Sequence, residues 1–377
     1  MTTHDAPVRI AVVGTGNIAE TCHLPSVRAQ GGQAEVVAVT DVDRGRAEEF
    51  AARWNIPEVH DNLEGLLAAV RPDIVFVCTP PGTHREAVAT CLDAGAWVWC
   101  EKPPTLSLAE YDALAAHEGE DGPYVSYVFQ HRFGSAARAL REQVRTEALG
   151  RPLVGICHTL WYRDDAYFDV PWRGKWETEG GGPTMGHGIH QMDLMLSIMG
   201  DWTEVRADMG TLARDVETED ISMAVVKFAN GAMVSMVNSL LSPRETSHLR
   251  FDFTDATVEV NHLYGYGNDD WQWTPAPHRD DATPADLGAP AENESSSHEA
   301  QLRLLLRDFR AGRRPAASGD DGRRVMALIA ALYQSATTGR PVTPALLTPD
   351  NPYYHSMSGR PAASSADIPD TKEPTRA

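Results

Sequence analysis

At 377 residues the chain exceeds one ordinary domain and has room for about two, each able to bury its own core. Its formal net charge of -20 repels nucleic-acid phosphates and anionic lipid, so neither is an expected partner. Every apolar run is shorter than the ~20 residues of a membrane span, Met1–Pro7 lacks the basic and apolar regions of a secretory signal, and the five cysteines are scattered without CxxC spacing; a water-soluble, cytoplasmic protein with reduced thiols is expected.

The first part of the chain alternates short β-branched runs with longer amphipathic stretches, the pattern of βαβ units and a parallel sheet. Val8–Val13 reads as the first strand and runs into Gly14-Thr15-Gly16-Asn17-Ile18-Ala19, a GxGxxA turn that opens a helix over Ile18–Ala29. In such a turn Gly14 permits the tight bend, Gly16 lets the backbone approach a pyrophosphate, and Ala19 keeps the helix close to the strand. The second strand, Glu35–Thr40, ends at Asp41, where a carboxylate can accept hydrogen bonds from ribose hydroxyls. A 2′-phosphate beside Asp41 would place like charges together, so NAD is favoured over NADP, with Arg44 the nearest group that could rescue a phosphate. Helices follow at Arg44–Trp54, Leu63–Val70 and Thr83–Ala94, the last closed by Gly95.

The third strand, Asp73–Cys78, leads into Thr79-Pro80-Pro81-Gly82-Thr83-His84, and the fourth, Ala96–Cys100, into Glu101-Lys102-Pro103. Ligands of open parallel sheets sit at the carboxyl ends of strands, so Thr79, Pro80, His84, Glu101 and Lys102 are candidates for the cofactor crevice. Lys102 is the most informative of them, since the following proline extends its backbone at the end of an apolar strand. After the strand Tyr124–Phe129, the segment Gln130-His131-Arg132-Phe133 can reach the cleft, although Arg132 suits a structural ion pair equally well.

From Leu153 onward strands are joined by short turns. Trp161-Tyr162-Arg163, Tyr167 and Trp172-Arg173-Gly174-Lys175-Trp176 form an aromatic, basic segment whose rings and guanidinium forks match a sugar ring or a carboxylate, about half of the tryptophans being expected to pack between domains instead. Glu179-Gly180-Gly181-Gly182-Pro183-Thr184-Met185-Gly186-His187-Gly188-Ile189-His190-Gln191-Met192-Asp193 reads as a glycine loop entering a helix near Pro183, which puts His187, His190 and Asp193 on neighbouring turns. That spacing can share an ion, but no third strong ligand motif accompanies it and no metal is expected. Ile221–Phe228, Asn230-Gly231 and Ala232–Asn238 form a hairpin. Asp280–Ser297 reads as a surface loop, His298–Arg310 and Gly322–Thr338 as helices, the second able to pack back on the first domain, and Pro349–Ala377 as a poorly structured tail.

Taken together, GxGxxA, the aspartate after strand two, Glu-Lys-Pro and the GGGxxxxxGxHxxD block resemble the Gfo/Idh/MocA family, the glucose-fructose oxidoreductase and inositol dehydrogenase group, over Val8 to Thr338. The resemblance implies an N-terminal Rossmann domain (1–130), a C-terminal, open-faced, largely antiparallel α+β domain for substrate binding and assembly into dimers or tetramers (131–345), and a tail (346–377). It implies NAD-dependent hydride transfer to or from a secondary alcohol carbon of a carbohydrate-like substrate. Lys102 would be the catalytic lysine and His190 the histidine that exchanges a proton with the reacting hydroxyl. Arg132, Arg163, Trp172, Arg173 and His187 join them as substrate-binding candidates. Alternatives on the same scaffold are a redox-neutral, sugar-eliminating enzyme with retained NAD and a non-catalytic NAD or sugar sensor, the latter having no need of Lys102. The chain departs from the family pattern at Gly186, where many members carry an aspartate four residues before the histidine. His187 lies about 100° round an ideal helix from that position, so it can replace the carboxylate only where the backbone departs from a helix.

Overall fold

The structure, a computed structural model, describes residues 6–360. Six parallel strands make the first sheet: β1 (Val8–Val13), β2 (Ala34–Thr40), β3 (Glu58–His60), β4 (Ile74–Val77), β5 (Trp97–Cys100) and β6 (Val125–Tyr127). Their order is β3-β2-β1-β4-β5-β6, so the strand order reverses between β1 and β4. The crevice above that switch point is where doubly wound sheets bind ligands. β4 and β5 are buried along their whole length, which explains why they read as unbroken apolar runs.

Seven strands make the second sheet: β7 (Pro152–Tyr162), β8 (Trp202–Gly210), β9 (Ile221–Phe228), β10 (Met233–Ser239), β11 (Leu241–Phe253), β12 (Ala256–Asn261) and β13 (Trp271–Pro275). The order is β13-β12-β11-β7-β10-β9-β8, with every pairing antiparallel except β7 with β10. One face packs on the helix Ile189–Met199, and alternation along β9 and β10 leaves Met223, Val225 and Met233 exposed on the other.

Both C-terminal helices reach the first domain, and one expectation, that of an unstructured tail, is corrected. The helix that returns to the first sheet is His298–Arg310, whose Leu302, Leu305 and Leu306 share a core with Ile10, Phe76 and Trp99. The longer helix, Asp320–Thr338, lies chiefly on β8, where the Ser335 hydroxyl accepts from the Ala207 backbone N–H, and its first turns also pack back on the first domain, where Arg323 is bonded to Asp112. In the expected tail, residues 349–360 are folded, with a short helix Pro352–His355 and buried Tyr353 and Met357. Its remainder lies outside the described residues.

Candidate active site

A cleft of about 760 Å³ runs from the glycine turn after β1 to the segment between β7 and the helix Ile189–Met199. At its first end the turn is built as its glycines suggest. Gly14 has φ +87°, and a Cβ there would lie 2.9 Å from the Cys78 backbone, whereas a Cβ on Gly16 would meet nothing within 4 Å. Gly14 is therefore fixed by the neighbouring strand, and Gly16 by the open space above it. Asn17 and Ile18 line the cleft, Ala19 is fully buried, and the chain enters its helix through a π-turn over Ala19–His23 before the α-helical Leu24–Ala29.

Asp41 sits at the end of β2 with both carboxylate oxygens engaged. One accepts from the backbone N–H of Thr15 at 2.8 Å and from its hydroxyl at 3.0 Å, the other from the backbone N–H of Asp43 at 2.9 Å, and the Arg46 guanidinium grips both. Burial alone would raise the Asp41 carboxyl, but these donors, Arg46 first, hold it below its usual value. Arg46, not Arg44, is thus the cation at this position; Arg44 is paired with Glu48 and Asp61. Beside Asp41 the Val42 side chain is fully exposed and lines the same end of the cleft.

Thr79 and Pro80 line the middle of the cleft. His84 does not reach it: its buried imidazole spans the carbonyls of Thr79 and Pro103, at 2.8 Å each, and ties the loops after β4 and β5 together. Glu101 borders the crevice but turns toward His23, whose Nε2 lies 2.7 Å from Oε1, with His298 Nε2 at 3.5 Å. Burial would raise the Glu101 carboxyl, yet hydrogen bonding to the two imidazoles keeps it well below the ordinary range. Among the described residues this is the one cluster whose His and carboxylate atoms are close enough to share a metal ion.

Lys102 projects from the end of β5 across the cleft, and its Nζ donates to the carbonyl of Gly186 at 2.7 Å. Burial lowers its pKa, while Glu101 and Glu179 act in the opposite direction. The glycine block is not one helix. A short helix, Pro183–Gly186, breaks at His187 (φ -121°, ψ -54°), and Ile189–Met199 starts afresh. His187 therefore leaves the helical path and lines the cleft, its Nε2 3.2 Å from the Tyr167 hydroxyl, which also accepts from Arg173. His190 lies one layer behind, buried, with its ring 5.3 Å from that of His131. Burial and the nearby Lys102 charge hold His190 and His187 well below the usual imidazole value. Asp193 is unavailable to any ion shared with these histidines, because Arg132 grips it.

Arg132 is correspondingly absent from the cleft wall: it is buried between Asp193 and Asp321. Arg163 also lies outside the lining, paired with Glu245 at 2.8 Å. Trp172 and Arg173 do line it, with the guanidinium 4.4 Å over the Trp172 ring and also over Tyr167. Trp176 serves packing, its ring edge-on to Tyr333. The site thus gathers Lys102, His187, Trp172 and Arg173, with His190 behind them. Tyr167 of the aromatic segment joins them, and the site adds Arg46 and Glu179, which sequence reasoning did not select. Glu179 stands directly before the three glycines, and that adjacency was its one visible signal.

The oxidoreductase-family model GFO_IDH_MocA, an NAD-binding Rossmann fold, matches residues 8–129, and the GFO/IDH/MocA C-terminal domain model matches 137–277. D-glucoside 3-dehydrogenase of Escherichia coli is 27% identical over 362 residues, 89% of this chain and 97% of its own. Myo-inositol 2-dehydrogenase of Thermotoga maritima is 26% identical over 343 residues, 89% of this chain and 98% of its own. Among solved structures, the WlbA dehydrogenase of Chromobacterium violaceum in complex with NADH and UDP-GlcNAcA superposes with a TM-score of 0.78 at 27% identity, covering 90% of this chain and 96% of that one.

Proposed function

Because the chain belongs to the Gfo/Idh/MocA family of oxidoreductases, we propose that it oxidises a secondary alcohol of a sugar or polyol, or reduces the matching ketone, with NAD as the redox partner. The observation that carries this reading is the ammonium of Lys102 crossing from the end of β5 to Gly186, at the seam between the glycine turn and the aromatic wall. The residues present fit the cofactor. The open space over Gly16 suits a pyrophosphate, the Asp41 carboxylate suits ribose hydroxyls, and the exposed Val42 offers an apolar face to an adenine. When bound, nicotinamide accepts or returns the hydride.

The chain's own groups do the rest. Trp172, Arg173 and His187 hold the substrate, stacking on its ring and donating to its oxygens. Lys102 stabilises negative charge developing on the reacting oxygen, and His190, kept neutral by burial, takes the hydroxyl proton. The redox-neutral alternative gains no support from the relatives named above, each called a dehydrogenase. A panel of D-glucosides, inositols, sugar acids and aldoses with NAD, followed at the nicotinamide absorbance, tests the proposal. Reduction of NAD by at least one class is expected, with NADP used less efficiently because of Asp41. Equal catalytic efficiency with both cofactors would overturn the cofactor preference, and no reduction across the panel would overturn the substrate class.

Finer readings complete the proposal. A division into residues 1–130, 131–345 and 346–377 is supported by the change from a parallel to a largely antiparallel sheet. A cytoplasmic location is supported by five unpaired cysteines, four of them buried. Assembly of two or four copies through the second sheet is supported by the exposed Met223, Val225, Met233 and Val154 on its outer face. A monomeric mass in solution at micromolar concentration would count against it.

A further inference from the structure

Gly186 leaves a gap where the cleft has its one lysine, and another element fills it. A Cβ added to Gly186 would have a single neighbour within 4 Å, the Oε1 of Glu179 at 3.5 Å. Lys102 reaches the same residue from the β5 side through its 2.7 Å bond to the Gly186 carbonyl, so cation and carboxylate converge on Gly186. Glu179 ends the short helix Trp176–Glu179, and its carboxylate is fixed by one oxygen only. The Oε2 accepts the Gly174 backbone N–H at 2.7 Å, while Oε1 has just Arg173 at 3.5 Å, the outer limit of a hydrogen bond. The loop is shaped for that bond: Gly174 has φ +69°, and a Cβ there would lie 2.6 Å from Val216. Glu179 is 6% exposed and lines the cleft, so its unspent oxygen faces the site, not bulk water.

We propose that Glu179 supplies from a neighbouring element the carboxylate that position 186 lacks, and acts as a positioning residue that keeps the Lys102 ammonium charged. The proposal rests on the reading of Lys102 given above. The other groups facing Lys102 do not take this role. Glu101, directly after β5, supports the Lys102 charge more strongly than Glu179 does, but its carboxylate is held by His23 and His298 and is not the one at Gly186. Arg163 and Arg173 oppose the charge on Lys102, and the lysine in turn acts on His84, His131, His187 and His190, all of which burial keeps neutral. Glu179 is thus the carboxylate on the substrate side of the lysine and works against those two arginines.

The test exploits a chain with only four lysines, Lys102, Lys175, Lys227 and Lys372. Competitive acetylation of the full-length protein across pH, read peptide by peptide by mass spectrometry, gives the ionisation of Lys102 without reference to turnover. Glu179→Gln, which still accepts from Gly174, should lower the apparent pKa of Lys102 by about one unit, the low end for a nearby opposite charge. The alkaline limb of kcat should fall to lower pH by the same amount. Adding Gly186→Asp to Glu179→Gln should restore both, which shows that a carboxylate at either place serves the lysine. An unmoved labelling curve in Glu179→Gln, or no recovery in the double variant, overturns the proposal. Full turnover by Lys102→Ala would instead overturn the role of the lysine, and the labelling arm would still report whether Glu179 sets its charge.

Discussion

At the scale of single residues the chemistry divides into groups that touch the reaction and groups that tune them. Lys102→Ala and His190→Ala are each expected to lower kcat by roughly 10²–10⁴, with NAD binding retained, the span for a lost proton-transfer or charge-stabilising group. Steady-state rates beside a cofactor titration check this, and near-full turnover in either variant removes that residue from the mechanism. Since burial and Lys102 depress the His190 imidazole, its basic form persists into mild acid. The acidic limb of kcat/KM for oxidation should therefore lie below pH 6.5, and a limb above pH 7 would mean another group is the base. Lys102, His190 and the glycine turn were legible because each sits in a motif with fixed context. Arg46 and Glu179 were not: one is five residues beyond Asp41 on a solvated helix, and the other acts through a loop whose path only the fold defines.

Elements were legible where both ends carried a chemical signal. The expected Arg44–Trp54, Leu63–Val70 and His298–Arg310 coincide with the observed helices, and Asp43, Asn62 and Ser297 each cap the first turn by accepting a backbone N–H. β3 escaped notice because three residues with no buried position carry no periodicity. The break at His187 was hidden for a different reason: Gly188 lies where a Cβ would stand 2.0 Å from Asn238 Oδ1, a constraint from β10 that local spacing does not encode. Ser297→Ala removes the 3.1 Å bond to the Ala300 N–H and should cost about 0.5–2 kcal/mol. Urea unfolding measures it, and an unchanged midpoint would show that packing alone starts this helix.

Across the whole molecule, an unusual number of imidazoles is stored neutral. Burial holds His23, His84, His131, His187 and His190 below their ordinary value of 6.5, His131 down to about 3. The unfolded chain binds those protons first, so this contribution to stability is complete above about pH 6.5 and is lost as pH falls toward 3. Melting temperature should decline across that window, and a flat profile between pH 6.5 and 5 would contradict it. The helix His298–Arg310 carries a further consequence, this time for how the protein can be taken apart. It follows the second sheet in sequence yet completes the core behind β1, β4 and β5 and presents His298 to Glu101. The nucleotide-binding half is therefore not a transplantable module. A fragment ending at residue 130 would leave the faces of Ile10, Phe76 and Trp99 open, and a chimera that exchanges this half between relatives must carry the distant helix with it or inherit an incompatible seam.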